Sequence, residues 1–515
     1  MKKSIFQTIT CLAVIITLSG CSDWFSITPQ SEMVAEDFWK DKTDVASAVS
    51  SCYRGMCEGN FVRCLIVWGE VRSDNVIYGQ SNETDLTYVL NASISPSNSY
   101  TQWGDFYTVI NNCNTVLAKA PSVRDNDPNF SQAELNQYLA EVKAIRAFCY
   151  FTLVRTFNEI PYISEPYLDD TREYKVAQSS ADSILNVLIE DLKSVEGDVA
   201  KEYAVNTAYN KGRVTQKAIW ALIADMCLWR QDYNQCITYC NKIINTNAYN
   251  PLTLVPASQY FSKVFFDGNS DESIWELQFD YNTNNGAVTS MYGGTNTNPL
   301  LCASSLSDLR GSSFFREKDY RRCNAFVLNN GSYMIKKYVA NRTSNDLTTI
   351  KASDFVWGNS TSNWIFYRLA DAYLMKAEAL VERNTGNDIT DAVALVSQIY
   401  DRSNPDLDPG SLISSYNQAM ARDLVFDERQ REFLFEGKRY FDIVRRIRRE
   451  GSPTDIVSNY LLAKYVSMSL DQTTVFSKLN DPDAIYFPIN QDELKLNTLL
   501  HQNRFYETSS DIVKN

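Results

Sequence analysis

The stretch WALIADMCLWRQDYNQCITYCNKII, residues 220–244, constrains the fold more than any other part of the chain. Trp220, Ile223, Ala224 and Cys227 recur at the spacing of one face of an α-helix. Asp232-Tyr233 interrupts the run as a turn, and Cys236, Cys240 and Ile243 resume it on a second helix. Large, apolar and small residues alternate on the facing sides, so the two helices pair as an antiparallel hairpin. One hairpin buries little apolar surface alone, and stability requires further hairpins stacked against it. A chain organised around such a unit is mainly helical.

This spacing is that of a tetratricopeptide-type hairpin, the alternative being a generic antiparallel helix pair. A looser copy spans 366–402: FYRLADAYLMKAEALVER, a turn through Gly386, then ITDAVALVSQIYDR with Ala392, Val396 and Ile399 on the inner face. Elsewhere Thr43-Asp44 opens the periodic run VASAVSSCYRGM, and residues 101–120 read as a helix stopped by Pro121. Leu135, Leu139, Val142, Cys149 and Leu153 mark a third helix that ends before Pro161, with others expected at 181–195, 215–231 and 233–246. Arg146 falls on the apolar row of the third helix and requires a carboxylate or carbonyl partner. Residues 250–363 change character to Gly, Asn, Ser, Thr and aromatics, with short strands expected at 272–279 and 333–339, and residues 61–100 share that look. The expected organisation of 35–515 is one domain. Its helical scaffold covers about 35–60, 101–248 and 364–450, its loop-rich, ligand-binding parts 61–100 and 250–363, and its C-terminal segment 451–515. Loop-rich insertions of this length in a helical scaffold carry function.

At the N-terminus, Lys2 and Lys3 precede a mostly apolar run, Ile5 to Leu18, too short to cross a bilayer, which reads as a secretory signal over residues 1–20. Leu18-Ser19-Gly20-Cys21 resembles a bacterial lipobox, in which the Cys21 thiol is acylated and becomes the new N-terminus; the alternative is an ordinary signal peptide with a chance cysteine. Residues 21–34 then form a lipidated tether, and two or three acyl chains give stable anchoring. The expected membrane attachment is through lipid only. Loss of the two lysines in residues 1–20 moves the formal charge from −13 to −15. So acidic a chain is a poor partner for nucleic acid or anionic membrane surfaces. Of 12 cysteines, ten remain once Cys11 leaves and Cys21 is acylated; none forms a CxxC pair, and the single histidine is His501. Zinc-ligand spacing is therefore absent, Ser-His and Cys-His nucleophile pairs are disfavoured, and the ten are read as buried free thiols.

Residues 426–446, FDERQREFLFEGKRYFDIVRR, concentrate charge. Glu428, Arg431, Glu432 and Glu436 lie three or four apart, as on one helix, with Gly437 as its expected end. Lys438, Arg439, Asp442, Arg445 and Arg446 follow around Tyr440, Phe441, Ile443 and Val444. A carboxylate pair for acid–base work is one reading. The preferred one is a salt-bridge network of Glu428, Arg431, Glu432, Glu436, Arg439, Asp442 and Arg445 that locks two helices together, because glutamates beside so many arginines make poor general acids.

That segment resembles the signature of the SusD/RagB family of bacterial surface lipoproteins, and five more resemblances occur in order. These are AEDFWKDKTDVASAVSSCYRGM (35–56), KAIRAFCYFTLVRTFNEIPYI (143–163), KGRVTQKAIWALIADMCLW (211–229), FYRLADAYLMKAEAL (366–380) and YFPINQDELKLNTLLHQN (486–503). The chain departs from the family pattern at turn positions: Asn158, Asn490 and Arg504-Phe505. The resemblance implies a mainly α, SusD-like fold with tetratricopeptide-type hairpins and a loop-rich insertion. It also implies a non-catalytic lipoprotein on the exterior of the outer membrane, partnered with a SusC-like TonB-dependent transporter to which it delivers oligosaccharides, or in some members peptides.

Sugar recognition needs flat apolar faces beside amides and carboxylates. The loop regions offer Trp68, Asp74, Asn75, Tyr78 and Tyr88, then Tyr281, Asn282, Asn284, Tyr292, Trp357 and Trp364 as candidate ligand contacts. No catalytic residue, cofactor or metal is expected. A structural Ca²⁺ is the one ion the acidic clusters SDNV, SNETD and FDGNSDE permit, and none has the spacing of an EF-hand loop. An all-helical glycoside hydrolase and a repeat scaffold that binds only protein are the competing readings.

Overall fold

The helices begin where the sequence supplies caps. The Asp41 carboxylate accepts from the Thr43 and Asp44 backbone N–H groups, while Asp44 accepts from the N–H of Asp41, and this closed box starts α1, Lys42–Cys57. Ser131 and Glu134 make the same exchange at the start of the long α5, Gln132–Phe157. The computed structural model describes residues 38–168, 173–203, 207–244, 251–293, 298–305, 314–358, 360–412 and 415–507. The signal segment, Cys21 and the 21–34 tether lie outside the described residues.

After α1 come α2 (Phe61–Ile66, running on as a π-helical turn over Val67–Val71), β1 (Val76–Tyr78), α3 (Thr84–Leu90), α4 (Gly104–Asn126) and α5 (Gln132–Phe157). The short β2 (Ile160–Pro161) and β3 (Gln178–Ser179) bracket a long connection and pair antiparallel; α6 (Ala181–Val195), α7 (Gln216–Trp229) and α8 (Tyr233–Ile244) follow. The middle of the chain supplies β4 (Ser273–Leu277), α9 (Gly286–Tyr292), β5 (Leu301–Ala303), β6 (Phe326–Asn329), β7 (Ser332–Ile335), β8 (Ala340–Arg342), β9 (Phe355–Trp357) and β10 (Trp364–Arg368). Then come α10 (Leu369–Arg383), α11 (Asp388–Ser403), α12 (Gln418–Glu432), α13 (Arg439–Glu450) and α14 (Gln491–Leu496).

The helices stack as hairpins: α4 on α5, α7 on α8, α10 on α11, with α8 against α10 joining two of the pairs and α12 closing on α10 and α11. The small residues make this approach possible. Cys236 and Cys240 are fully buried, and the Cys236 thiol lies against the Met375 carbonyl of α10. Trp220 sits at the rim with its indole N–H on the Glu196 carboxylate, 2.7 Å away. Arg146 finds the partners its apolar row requires, donating to Asp191 and Asn114 at 2.8 Å each. All ten cysteines from Cys52 to Cys323 are free thiols, nine buried and Cys57 half-buried. Among the described residues no helix is long and apolar enough to cross a membrane, and no group of acidic, histidine and cysteine side chains is arranged to hold a metal ion.

Antiparallel pairing joins the two loop regions. One sheet has the order β1-β5-β7-β6, with Val76 opposite Ala303 and Tyr78 opposite Leu301, so residues 76–78 are sewn to 301–335. A second pairs β4 with β10, Trp364 opposite Leu277.

Four sequence expectations need correction. Pro121 does not end α4, which continues to Asn126. Pro121 lies on the exposed side of the helix, and Ala120 and Val123 hold the last turn on the core. Residues 61–71 are helical and mostly buried rather than looped. Residues 366–368, assigned by periodicity to the second hairpin, end strand β10. Glu436 does not share a helix with Glu428 and Glu432. The helix stops at Glu432, and Phe435 and Gly437 adopt φ of +63° and +68°, so Glu436 lies in a tight turn before α13.

Candidate functional site

The charged signature segment is buried architecture. Arg368, at the end of β10, donates to Glu272 and Glu432 at 2.6 Å each and to Glu436 at 2.8 Å. Arg321 bridges Asp319 and Glu428, Lys337 reaches Glu436 at 2.6 Å, and Arg431 pairs with Glu428 at 2.8 Å. Arg402 closes onto Glu272 and Glu432. A second set links Arg429 and Arg445 to Asp442 and Glu378, fastening α12 and α13 to α10. Burial raises the pKa of Glu436, but Arg368 and Lys337 outweigh it and hold the group at about 2; Glu432 is likewise held well below the carboxylate range, by Arg402, Arg368 and Arg321 against its burial. These carboxylates stay ionised and hydrogen-bonded, and they are walled off from any substrate.

That network also claims part of the candidate ligand set. Asp74 accepts from Arg439 at 2.9 Å and from Gln430, and Asn75 donates to Glu70 at 2.6 Å. Trp68 is fully buried, its indole N–H on the Tyr100 carbonyl. Tyr292 donates to the Phe435 carbonyl, and Trp364 stacks on Tyr338. Asp74, Asn75, Trp68, Tyr292 and Trp364 are therefore core and network residues, not ligand contacts.

Of the remaining candidates, Asn284 and Tyr78 line two adjoining hollows. The first, about 260 Å³, lies between the start of α2 and α9, with Asn60, Arg63, Phe279, Asn284 and Ser290 in its walls. The second, about 300 Å³, is enclosed by Tyr78, Ser81, Glu83, Leu90 and Leu300. They share a partition. Arg63 of the first pairs with Glu83 of the second, Tyr100 bridges both with bonds of 2.7 and 2.6 Å, and the Leu300 N–H donates to the Ser290 carbonyl. Burial works against the Arg63 charge, yet Tyr100 and Glu83 outweigh it and raise its pKa above the ordinary value. Cys57 also lines the first hollow, but burial pushes its thiol up to about 12, so it is no nucleophile.

At the mouth of the first hollow, Asp280 accepts from the N–H groups of Asn282 and Thr283, an Asx turn that leaves Tyr281 90% exposed. Asn282 and Asn284 are exposed on the same turn, and the Asn285 N–H ties it to the Ser360 carbonyl at 2.7 Å. Tyr78 is half-buried with its hydroxyl on Asn91, Tyr88 stands exposed on α3, and Trp357 lies on β9 opposite Ala340.

Comparison with known proteins agrees with this architecture. The family model described as SusD family matches residues 310–506, and one described as "Starch-binding associating with outer membrane" matches residues 23–228. The chain belongs to the SusD/RagB family. Similar proteins include SusD-like protein P38 of Formosa agariphila, 24% identical over 86% of this chain and 91% of that one. The starch-binding protein SusD of Bacteroides thetaiotaomicron is 22% identical over 87% of this chain and 86% of that one. Among solved structures, a SusD superfamily protein from Bacteroides thetaiotaomicron superimposes with a TM-score of 0.70 at 21% identity, covering 91% of this chain and 99% of that one. A putative sugar binding protein from Bacteroides vulgatus gives 0.68 at 19% identity, covering 91% and 99%.

Within this SusD-like fold, the sheet that joins 76–78 to 301–335 sets the two hollows side by side. Sequence reasoning missed the partition between them, Arg63, Glu83 and Tyr100. A signal was present: Arg63 interrupts the apolar run FVRCLIVW, and a cation there needs a nearby acid. The hollows present amide, hydroxyl and guanidinium groups beside exposed rings, a surface suited to hydroxyl-rich ligands.

Proposed function

We propose that this SusD-like chain is a surface lipoprotein, anchored to the outer membrane through Cys21, that binds oligosaccharides at the two adjoining hollows and passes them to a SusC-like TonB-dependent transporter without altering them. The observation that carries this reading is the pair of amide-lined hollows beside the exposed Tyr281, in a family with a member named a starch-binding protein. The family description "associating with outer membrane" supports the location. Among the described residues, Glu83 is the one carboxylate lining either hollow, and Arg63 and Tyr100 already hold it. Glycoside hydrolysis by two carboxylates needs a second, facing one.

The test is calorimetric titration of the purified chain with a panel of oligosaccharides. At least one is expected to bind, and Tyr281→Ala combined with Asn284→Ala should weaken it about 10-fold, the loss of ~1.4 kcal/mol expected of a stacked ring and an amide contact. Unchanged affinity in that variant and in Trp357→Ala would sink the placement. New reducing ends during incubation would overturn the non-catalytic reading, and binding of peptides alone would replace the glycan. For the anchor, Cys21→Ala is expected to move the protein out of the membrane fraction; retention there would refute lipidation at Cys21.

A further inference from the structure

Arg63 and Glu83 line different hollows yet belong to one closed ring of bonds. The Arg63 Nε–H donates to the Tyr100 hydroxyl at 2.7 Å, that hydroxyl donates to Glu83 Oε1 at 2.6 Å, and Arg63 Nη2 pairs with Glu83 Oε2. The ring is held from behind. The Tyr100 carbonyl takes the indole N–H of the buried Trp68, and the Glu83 carbonyl takes both the N–H and the hydroxyl of Thr87 on α3 at 2.9 Å. Nη1 of Arg63 bonds no described residue, so that amino group is left for a ligand in the first hollow.

The charges around the first hollow favour an uncharged occupant. Arg63 is the one cation lining either hollow among the described residues, and Glu83 already neutralises it. Asp105 accepts from the N–H of Asn60, a wall residue, at 2.8 Å, and Asp280 caps the turn at the mouth. Both aspartates are exposed, and no lysine or arginine among the described residues pairs with either. A uronate or sulfate ester would have to part Arg63 from Glu83 and then lie near three carboxylates, on a chain of net charge −13. A hydroxyl needs only Nη1 and the amides of Asn60 and Asn284. Discrimination of this kind comes from a repulsive element facing the wrong ligand, here Glu83.

We infer that Glu83 is the specificity residue of the two hollows: it occupies Arg63 and so selects uncharged oligosaccharides over acidic ones. This rests on the glycan reading above and adds the charge class of the ligand. Glu83→Gln removes the charge while keeping an oxygen for Tyr100. Its part in starting α3 is played by its backbone carbonyl and is unaffected. The variant therefore keeps the partition's shape and frees Arg63 to take an anion.

The test compares three probes on the full chain: the panel oligosaccharide that binds most tightly, the same oligosaccharide after partial sulfation, and inorganic sulfate. Sulfation is expected to weaken binding to the wild-type chain at least 10-fold. Glu83→Gln should narrow that gap at least 5-fold, and adding Arg63→Gln should restore it, which a merely steric effect of the sulfate group would not do. Inorganic sulfate should shift the Arg63 Nε–H resonance saturably in Glu83→Gln and leave it in place in the wild-type chain. Equal or tighter binding of the sulfated form by the wild-type chain, a gap unchanged in Glu83→Gln, or the same response to sulfate in both chains would each overturn the inference. If no panel member binds, it is the glycan reading that fails, and the sulfate titration still decides whether Glu83 blocks an anion site on Arg63.

Discussion

Arg368→Ala is expected to cost about 3–5 kcal/mol of folding stability, measured as a lowered urea midpoint. Arg368 is fully buried, and among the described residues its guanidinium is the single group that touches Glu272, Glu432 and Glu436 at once. It also donates to the Glu432 carbonyl at 3.0 Å. Removing it leaves three buried carboxylates facing a cavity, with Arg402 still on Glu272 and Glu432 and Lys337 on Glu436. Most of the cost is that residual uncompensated charge, so Glu436→Gln in the Arg368→Ala background should recover part of it. Arg368→Lys should fall between the two, because an ammonium keeps the charge but cannot span the fork. A loss below about 1 kcal/mol for Arg368→Ala would show that the network is not what joins β10, α12 and the turn before α13.

The same network shows how far the sequence could be read. The hairpins were legible because their signal is local: Ile223, Ala224, Cys227, Cys236 and Cys240 declare one face by spacing alone, and that face is buried. The turn that presents Tyr281 is equally local, with Asp280 capping it from two and three residues away. The partner of Asp74 was not legible, because Arg439 lies 365 positions along the chain. Tyr292 and Trp364 sit in polar, loop-like stretches that look no different from the stretch around Tyr281, and Trp68 ends the apolar run FVRCLIVW. What buries them is long-range contact, with Tyr100, Phe435 and Tyr338, and no periodicity records it. Glu436 was misplaced because its spacing matches a helix that the positive φ of Phe435 and Gly437 has already ended.

Gly69→Ala is the second large effect, expected at about 3 kcal/mol or more. Gly69 lies in the π-helical turn after α2, where a Cβ would overlap the backbone carbonyl of Gly437. Neither side has room to yield. Gly437 holds φ of +68°, and its N–H donates to the carboxylate of Glu70, the residue after Gly69, at 3.0 Å. Glu70 also accepts from the Phe435 N–H at 3.1 Å and from Asn75 at 2.6 Å. Burial pushes its carboxyl up to about 7, so these donors are what stabilise it inside the protein. A methyl group at position 69 forces α2 away from the turn and stretches those bonds together. The consequence extends to the hollows, because α2 carries Val62 and Arg63 into the first of them. Thermal unfolding and oligosaccharide titration of Gly69→Ala are expected to fall together, the second after correction for the folded fraction. Gly197→Ala is the matched control, with open space where its Cβ would go, and should change stability by no more than about 0.5 kcal/mol. Equal behaviour of the two variants would mean that the approach of Gly69 to Gly437 does not set the position of α2, and that Arg63 reaches Glu83 by some other constraint.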